Sequence, residues 1–276
     1  MPRRRACRRP AGPVAGGLQC PARDAGWAGA VDARGRDGTI RRVARGGPVV
    51  AIDGPGSSGK STVGALAAAR LGFRFCDTGL FYRAAAWLAL RRGVLLDDGP
   101  SLAALAPDLR LEADGAGRYV RVRAAGEDVT ALVHAPEIDR VVSEVARQPE
   151  LRAALLPRQR ELAEEGGIVV AGRDIGTVVL PDADVRIYLD ASLPERARRR
   201  GLERGIPAGE AEGDAARRTR DELQARDAID SGRASAPLRV APDAVVIRTD
   251  GFTLEEAVDA VVKAVESAWR AARQRP

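Results

Sequence analysis

The strongest chemical signal is Gly54-Pro-Gly-Ser-Ser-Gly59-Lys60-Ser61, which fits the Gly-x-x-x-x-Gly-Lys-Ser/Thr phosphate loop. Glycines at these positions let backbone N–H groups converge on phosphate oxygens, and a helix opening at the end of the loop adds positive potential. Lys60 is a compact charge able to reach β- and γ-phosphates. The chain has two lysines against 42 arginines, so finding one of them here points to a need for an ammonium group. Ser61 is the expected Mg²⁺ ligand, and Thr62 falls in the first helical turn. Gly54, Pro55, Gly56, Ser57, Ser58, Gly59, Lys60, Ser61 and Thr62 thus form the expected triphosphate-binding segment.

Two further loops carry arginine. Asp77-Thr78-Gly79-Leu-Phe-Tyr82-Arg83 and Gly172-Arg173-Asp174-Ile-Gly176-Thr each follow a short apolar run. They are expected at the carboxyl edge of a sheet, where open parallel sheets bind ligands. Two such loops beside a phosphate loop suggest a second anionic substrate, although each alone reads equally well as a surface ion pair. The chain holds one histidine, His134, and no asparagine. Multi-histidine metal sites and an Asn-Lys-x-Asp base-reading motif are therefore excluded. Phosphoryl transfer to another phosphate suits such a chain. The accepting oxygen is already an anion, and catalysis is mostly positioning and charge neutralisation.

These loops need a scaffold, and the apolar pattern supplies one. Val49–Asp53 reads as a buried strand, Lys60–Leu71 as a helix closed by Gly72, Phe73–Cys76 as a strand and Leu80–Arg92 as a helix closed by Gly93. Alternation of this kind implies parallel βαβ units. Leu109–Ala113, Tyr119–Arg123 and Val129–Val133 read as a small antiparallel insertion. Helices follow near Pro136 and Pro149, the second expected to kink or break at Pro157. Ile168–Ala171, Val185–Leu189 and Ala244–Ile247 complete five strands. Ser192-Leu-Pro-Glu195 and Thr253-Leu-Glu-Glu256 are capping boxes that open helices. Gly201–Asp214 reads as a mobile loop, and Asp214–Asp230 as a helix.

The net charge of +6 belongs to one end. Residues 1–46 hold 11 arginines and three acids, a net of +8, which leaves −2 for the other 230 residues. This Gly-, Pro-, Ala- and Arg-rich segment has no apolar periodicity and reads as a disordered basic tail. The remainder is not basic, so no specific nucleic-acid partner is expected. No apolar run is long enough for a transmembrane helix, and no membrane partner is expected. Three scattered cysteines suit a reducing compartment, and the expected location is the cytoplasm.

Four stretches together resemble the bacterial cytidylate kinase family, a branch of the nucleoside monophosphate kinases. They are Asp53-Gly-Pro-Gly-Ser-Ser-Gly-Lys60, Asp77-Thr-Gly-Leu-Phe-Tyr-Arg83, Gly172-Arg-Asp-Ile-Gly-Thr-Val-Val-Leu-Pro181, and Arg226-Asp-Ala-Ile-Asp230-Ser-Gly-Arg233 followed by Ser235-Ala-Pro-Leu238. The resemblance covers about residues 47–268. It implies an α/β three-layer P-loop fold with five parallel strands in the order 2-3-1-4-5 and a small antiparallel insertion. It also implies transfer of the γ-phosphoryl group of ATP to CMP or dCMP, with Mg²⁺. A monomer is expected, although the sequence does not give the oligomeric state.

Thr78, Arg83 and Arg173 would hold the phosphate of the monophosphate, and Ser143, Arg152 and Asp174 would read cytosine. Arg226 and Asp230 would contact the sugar, and Arg233 would approach the phosphates. Lys60, Arg173, Arg226 and Arg233 are the expected catalytic cations. A carboxylate at Asp174 suits the N4 amino donor of cytosine and opposes O4 of uracil. Spacing alone would leave Ser143 and Arg152 on a solvated helix face; only the resemblance gives them a role. The resemblance further divides residues 47–276 into a kinase core, a monophosphate-binding insertion at about 95–165 and a lid at about 196–214. One position departs from the family pattern: an acid often precedes Gly-Arg-Asp, and here Ala171 stands there. The acid that would assist Ser61 with Mg²⁺ is thus left open. The competing readings are a kinase of this fold acting on shikimate or another nucleotide, and a P-loop ATPase stimulated by nucleic acid through the basic tail.

Overall fold

The computed structural model describes residues 46–207 and 213–273. The expected tail up to residue 45 and residues 208–212 of the expected lid lie outside the described residues.

Short β-branched runs bounded by glycine form the central strands. β1 (Val49–Asp53) leads into the phosphate loop, and α1 (Lys60–Leu71) follows it. α1 closes where Gly72 turns left-handed and donates its N–H back to the Ala68 and Ala69 carbonyls. β2 (Arg74–Asp77) and α2 (Gly79–Arg92) repeat the unit. A short helix that the pattern did not suggest, α3 (Gly99–Ala103), precedes β3 (Leu109–Ala113), β4 (Arg118–Ala124) and the two-residue β5 (Glu127–Asp128).

α4 (Pro136–Ala146) and α5 (Pro149–Glu161) each start on proline. β6 (Ile168–Ala171), β7 (Val185–Asp190), α6 (Leu193–Glu203), α7 (Asp214–Ser231), β8 (Val245–Arg248) and α8 (Leu254–Arg273) complete the order.

The parallel strands run β2-β6-β1-β7-β8. Counted along the chain, that is the expected order 2-3-1-4-5. The sheet does not stop at five strands. β4 pairs parallel with β2 at Phe75–Arg118 and Cys76–Tyr119, so the antiparallel insertion extends the same sheet to eight strands. The edge of β2 would otherwise present unpaired backbone groups, and β4 covers it.

Apolar side chains sort by strand alternation. Val50, Ile52, Val169, Ile187 and Leu189 pack under α1 and α8. Ala51, Cys76, Ile168 and Val170 pack on the opposite face with Leu156 of α5. A third cluster joins α2, α3, α4 and α5 to β3 and β4.

Three expectations need correction. Val129–Val133 is not a strand: pairing ends at Asp128, and Leu132–His134 forms a one-turn 3₁₀ helix that buries Val133. The β-branched residues there serve burial in a turn rather than a ladder. α5 does not break at Pro157: it continues through it to Glu161, although the proline can donate no N–H to the turn before it. Gly201 does not end α6, which runs to Glu203. Gly201 is buried and lies against Ile206, so its small size is used for packing.

Candidate active site

The phosphate loop bridges β1 and α1. Its path requires glycine where a side chain has no room: a Cβ on Gly54 (φ +152°) would lie 2.1 Å from the Leu189 carbonyl oxygen. Gly59 is left-handed at φ +96° and caps α1 without a side-chain acceptor. No acid sits in the first turn of α1, so its leading N–H groups present positive potential to the loop.

Lys60 is buried, and its Nζ donates to the Pro55 carbonyl at 2.6 Å and to Ser58 Oγ at 3.4 Å. Burial, and then the nearby Arg173 guanidinium, hold its pKa well below the usual lysine range. Arg196 and Arg199 of α6 brace the loop by donating to the Gly56 carbonyl at 3.2 Å and the Ser58 carbonyl at 3.3 Å.

Two carboxylates flank the loop. Ser61 donates its hydroxyl to Asp77, at the carboxyl end of β2. Asp53, at the end of β1, accepts from the Ile175 N–H at 2.7 Å and the Gly176 N–H at 2.8 Å. Burial pushes Asp53 up to about 6 against these hydrogen bonds. These contacts fix the turn Ile175–Val179, which follows Arg173 and Asp174.

Arginines from three elements converge next to the loop. Arg83 comes from α2, Arg173 from the segment after β6 and Arg226 from α7. Burial, then Arg173 and Arg83, lower the pKa of Arg226 to about 10. Its buried Nε has no hydrogen-bond partner. A buried guanidinium close to two others, with Asp139 and Asp230 only partly offsetting them, suits a place where a polyanion would be stabilised.

Asp230 is nearly inaccessible. Its carboxylate accepts from Arg173 Nε at 2.9 Å and from Arg233. Thr78 is buried and donates its hydroxyl to the Ala171 carbonyl at 3.0 Å.

Asp174 and Arg152 form a buried ion pair. The Arg152 guanidinium also donates to the Ala146 carbonyl at 3.1 Å and stacks 5.4 Å from the centre of the Tyr82 ring. Ser143 is 4% exposed, on the buried side of α4. The solvated-face reading of Ser143 and Arg152 is thus incorrect: both α4 and α5 turn these polar residues inward.

Sequence reasoning missed Asp139, Arg196, Arg199 and Arg200. Asp139 is 5% exposed and pairs with Arg83 at 2.7 Å and with Arg200, with Arg204 and Arg226 at 3.8 and 3.9 Å. Burial works against its charge, but Arg83 and Arg200 prevail and hold its carboxyl below the usual range. Its spacing to Ile138 and Val142 on α4 was a usable signal, since a carboxylate beside those inward positions needs a cationic partner.

The profile of the cytidylate kinase family matches residues 50–267. Cytidylate kinase from Geobacillus thermodenitrificans is 44% identical over 219 residues, covering 78% of this chain and 95% of the relative. Cytidylate kinase from Geobacter sulfurreducens is 44% identical over 227 residues, covering 82% and 96%. That from Pelotomaculum thermopropionicum is 44% identical over 228 residues, covering 81% and 98%. With a phosphate loop, a parallel 2-3-1-4-5 core and a match over most of its length, the chain belongs to the cytidylate kinase family and is a nucleoside monophosphate kinase.

Proposed function

We propose that this enzyme transfers the γ-phosphoryl group of ATP to CMP or dCMP, giving ADP and CDP or dCDP. The observation that carries the reading is the convergence of Arg83, Arg173 and Arg226 beside Lys60, with the basicity of Arg226 depressed and its Nε unpartnered. Such a cluster matches two phosphate groups brought end to end. The loop N–H groups and Lys60 hold the donor phosphates, while Arg83 and Arg173 hold the acceptor phosphate, joined by Arg226, which we place there rather than at the sugar because its guanidinium lies within reach of the other two charges. Thr78 joins them by releasing the Ala171 carbonyl. Arg233, tied to Arg173 through Asp230, keeps the cluster ordered as charge moves between donor and acceptor. Little acid–base work is needed, because the attacking oxygen is already anionic.

Ser61 and Asp77 place a hydroxyl and a carboxylate side by side at the loop, the donor types Mg²⁺ takes alongside water and phosphate oxygens. Bound there, Mg²⁺ would neutralise charge on the donor phosphates. Asp77 thus fills the role left open by Ala171.

For the base, Asp174 accepts from N4 of cytosine, and Arg152 and Ser143 donate to its acceptor edge. The Arg152–Asp174 pair sets donor and acceptor side by side before the base arrives. Activity is expected in the cytoplasm from a monomer, with residues 1–46 as a dispensable tail, residues near 95–165 binding the monophosphate and residues near 196–214 closing over ATP. Among the described residues no helix is long and apolar enough to cross a membrane.

The test is a monophosphate panel with ATP and Mg²⁺. CMP and dCMP are expected to be phosphorylated, with UMP and AMP slower. Preference for shikimate, or hydrolysis of ATP without any acceptor, would overturn the assignment.

A further inference from the structure

Asp139 is the most heavily paired carboxylate among the described residues, and the proposed reaction leaves it without a task. It projects from α4 into a group of arginines from three other elements: Arg83 on α2, Arg200 and Arg204 on the α6 side, and Arg226 on α7. Two of these, Arg83 and Arg226, are the cations that the acceptor phosphate needs. Arg83 donates Nη2 to Asp139 and Nη1 to the Val133 carbonyl, at 2.7 and 2.9 Å. The remaining N–H groups of that guanidinium stay available to a second anion. Arg226 is held only at 3.9 Å, with its Nε unpartnered, so its contact with Asp139 is the weaker one.

We infer that Asp139 is a resident stand-in for the substrate phosphate. In the nucleotide-free enzyme it keeps Arg83, Arg200 and Arg226 gathered, and on binding the acceptor phosphate takes over part of that pairing.

The physical basis is charge balance. Several guanidinium groups drawn together and partly buried repel one another unless an anion sits among them. One fixed carboxylate, with a single negative charge, organises them without satisfying them fully. A phosphate dianion then gains more from the cluster than Asp139 does. The resident carboxylate also lowers the affinity of the empty site for other small anions. Because Asp139 links α4 to Arg200 on α6, the same residue ties the acceptor-binding side to the helix that braces the phosphate loop. Asp139 acts through the arginines and is a positioning residue.

This inference rests on the acceptor site proposed above, and its test separates the two. Asp139→Asn removes the charge and keeps the shape. Melting temperature is measured against increasing inorganic phosphate and sulfate, and CMP binding by calorimetry. The variant is expected to melt lower than wild type without anions. It should gain more from phosphate or sulfate than wild type does, and bind CMP about two- to tenfold more tightly. Asp139→Glu should restore the wild-type response. A merely structural Asp139 would lower melting temperature with an unchanged anion response and an unchanged CMP dissociation constant, which overturns the inference, as does weaker CMP binding. If the Asn variant is unfolded in chloride, recovery of its fold on adding sulfate supports the stand-in role, and failure of any anion to restore it refutes the role. Loss of CMP binding by wild type itself would instead strike the proposed acceptor.

Discussion

Asp53 offers a test that needs no substrate. Its carboxylate is 4% exposed, and burial lifts it from an ordinary value of 3.8 to about 6 despite two backbone N–H donors and the nearby Lys60. Two units correspond to about 3 kcal/mol between its protonated and ionised forms. The native state holds this proton more tightly than the unfolded chain. The stabilising contribution is therefore complete below about pH 4 and is lost as pH rises through about 6. Asp53→Asn cannot titrate, and it can accept only one of the two N–H bonds from Ile175 and Gly176. Its absolute stability thus combines a lost hydrogen bond with a removed buried charge. The pH dependence isolates the second effect. Denaturant unfolding of both proteins across about pH 4 to 7 should show the stability of the variant, relative to wild type, rising by about 3 kcal/mol with pH. Parallel curves, or a difference of opposite sign, would show that the two N–H donors and Lys60 keep Asp53 ionised in the fold and would refute the reasoning.

Three other outcomes are expected. Lys60→Ala should lower turnover by about 10²-fold or more while melting no lower than wild type, because it removes a buried ammonium already losing basicity; near-normal turnover in the folded variant would contradict the phosphate-loop assignment. Asp174→Asn breaks a buried pair with Arg152, so stability should fall by about 3–5 kcal/mol, and the CMP-to-UMP ratio of kcat/KM in the folded fraction should fall by about tenfold; equal losses on both substrates would move Asp174 from base reading to catalysis. Deleting residues 1–46, which precede the family match beginning at residue 50, should leave turnover and melting temperature nearly unchanged, and a large loss would show that its arginines serve the site.

Local pattern determined much of this protein. The phosphate loop, the α1 boundaries at Lys60 and Leu71, β6 at Ile168–Ala171 and the capping box at Thr253 and Glu256 follow from neighbours along the chain. Each depends on interactions within a few residues, and sequence spacing reports those directly. The resemblance also singled out Ser143 and Arg152, whose burial periodicity would have missed.

Tertiary structure decided what lay between distant segments. β4 joined the main sheet because the edge of β2 was open, a fact about strand neighbours that no local run encodes. Ser61 met Asp77 across 16 residues, a hydroxyl–carboxylate pair that no local run encodes. Asp139 found Arg200 across 61 residues and Arg226 across 87, where α4, α6 and α7 meet. In a chain with 42 arginines, composition cannot say which of them pair with a buried carboxylate and which stay in solvent. That choice follows from burial, since only in a desolvated cluster does the imbalance of a single charge shift basicity and create a binding site.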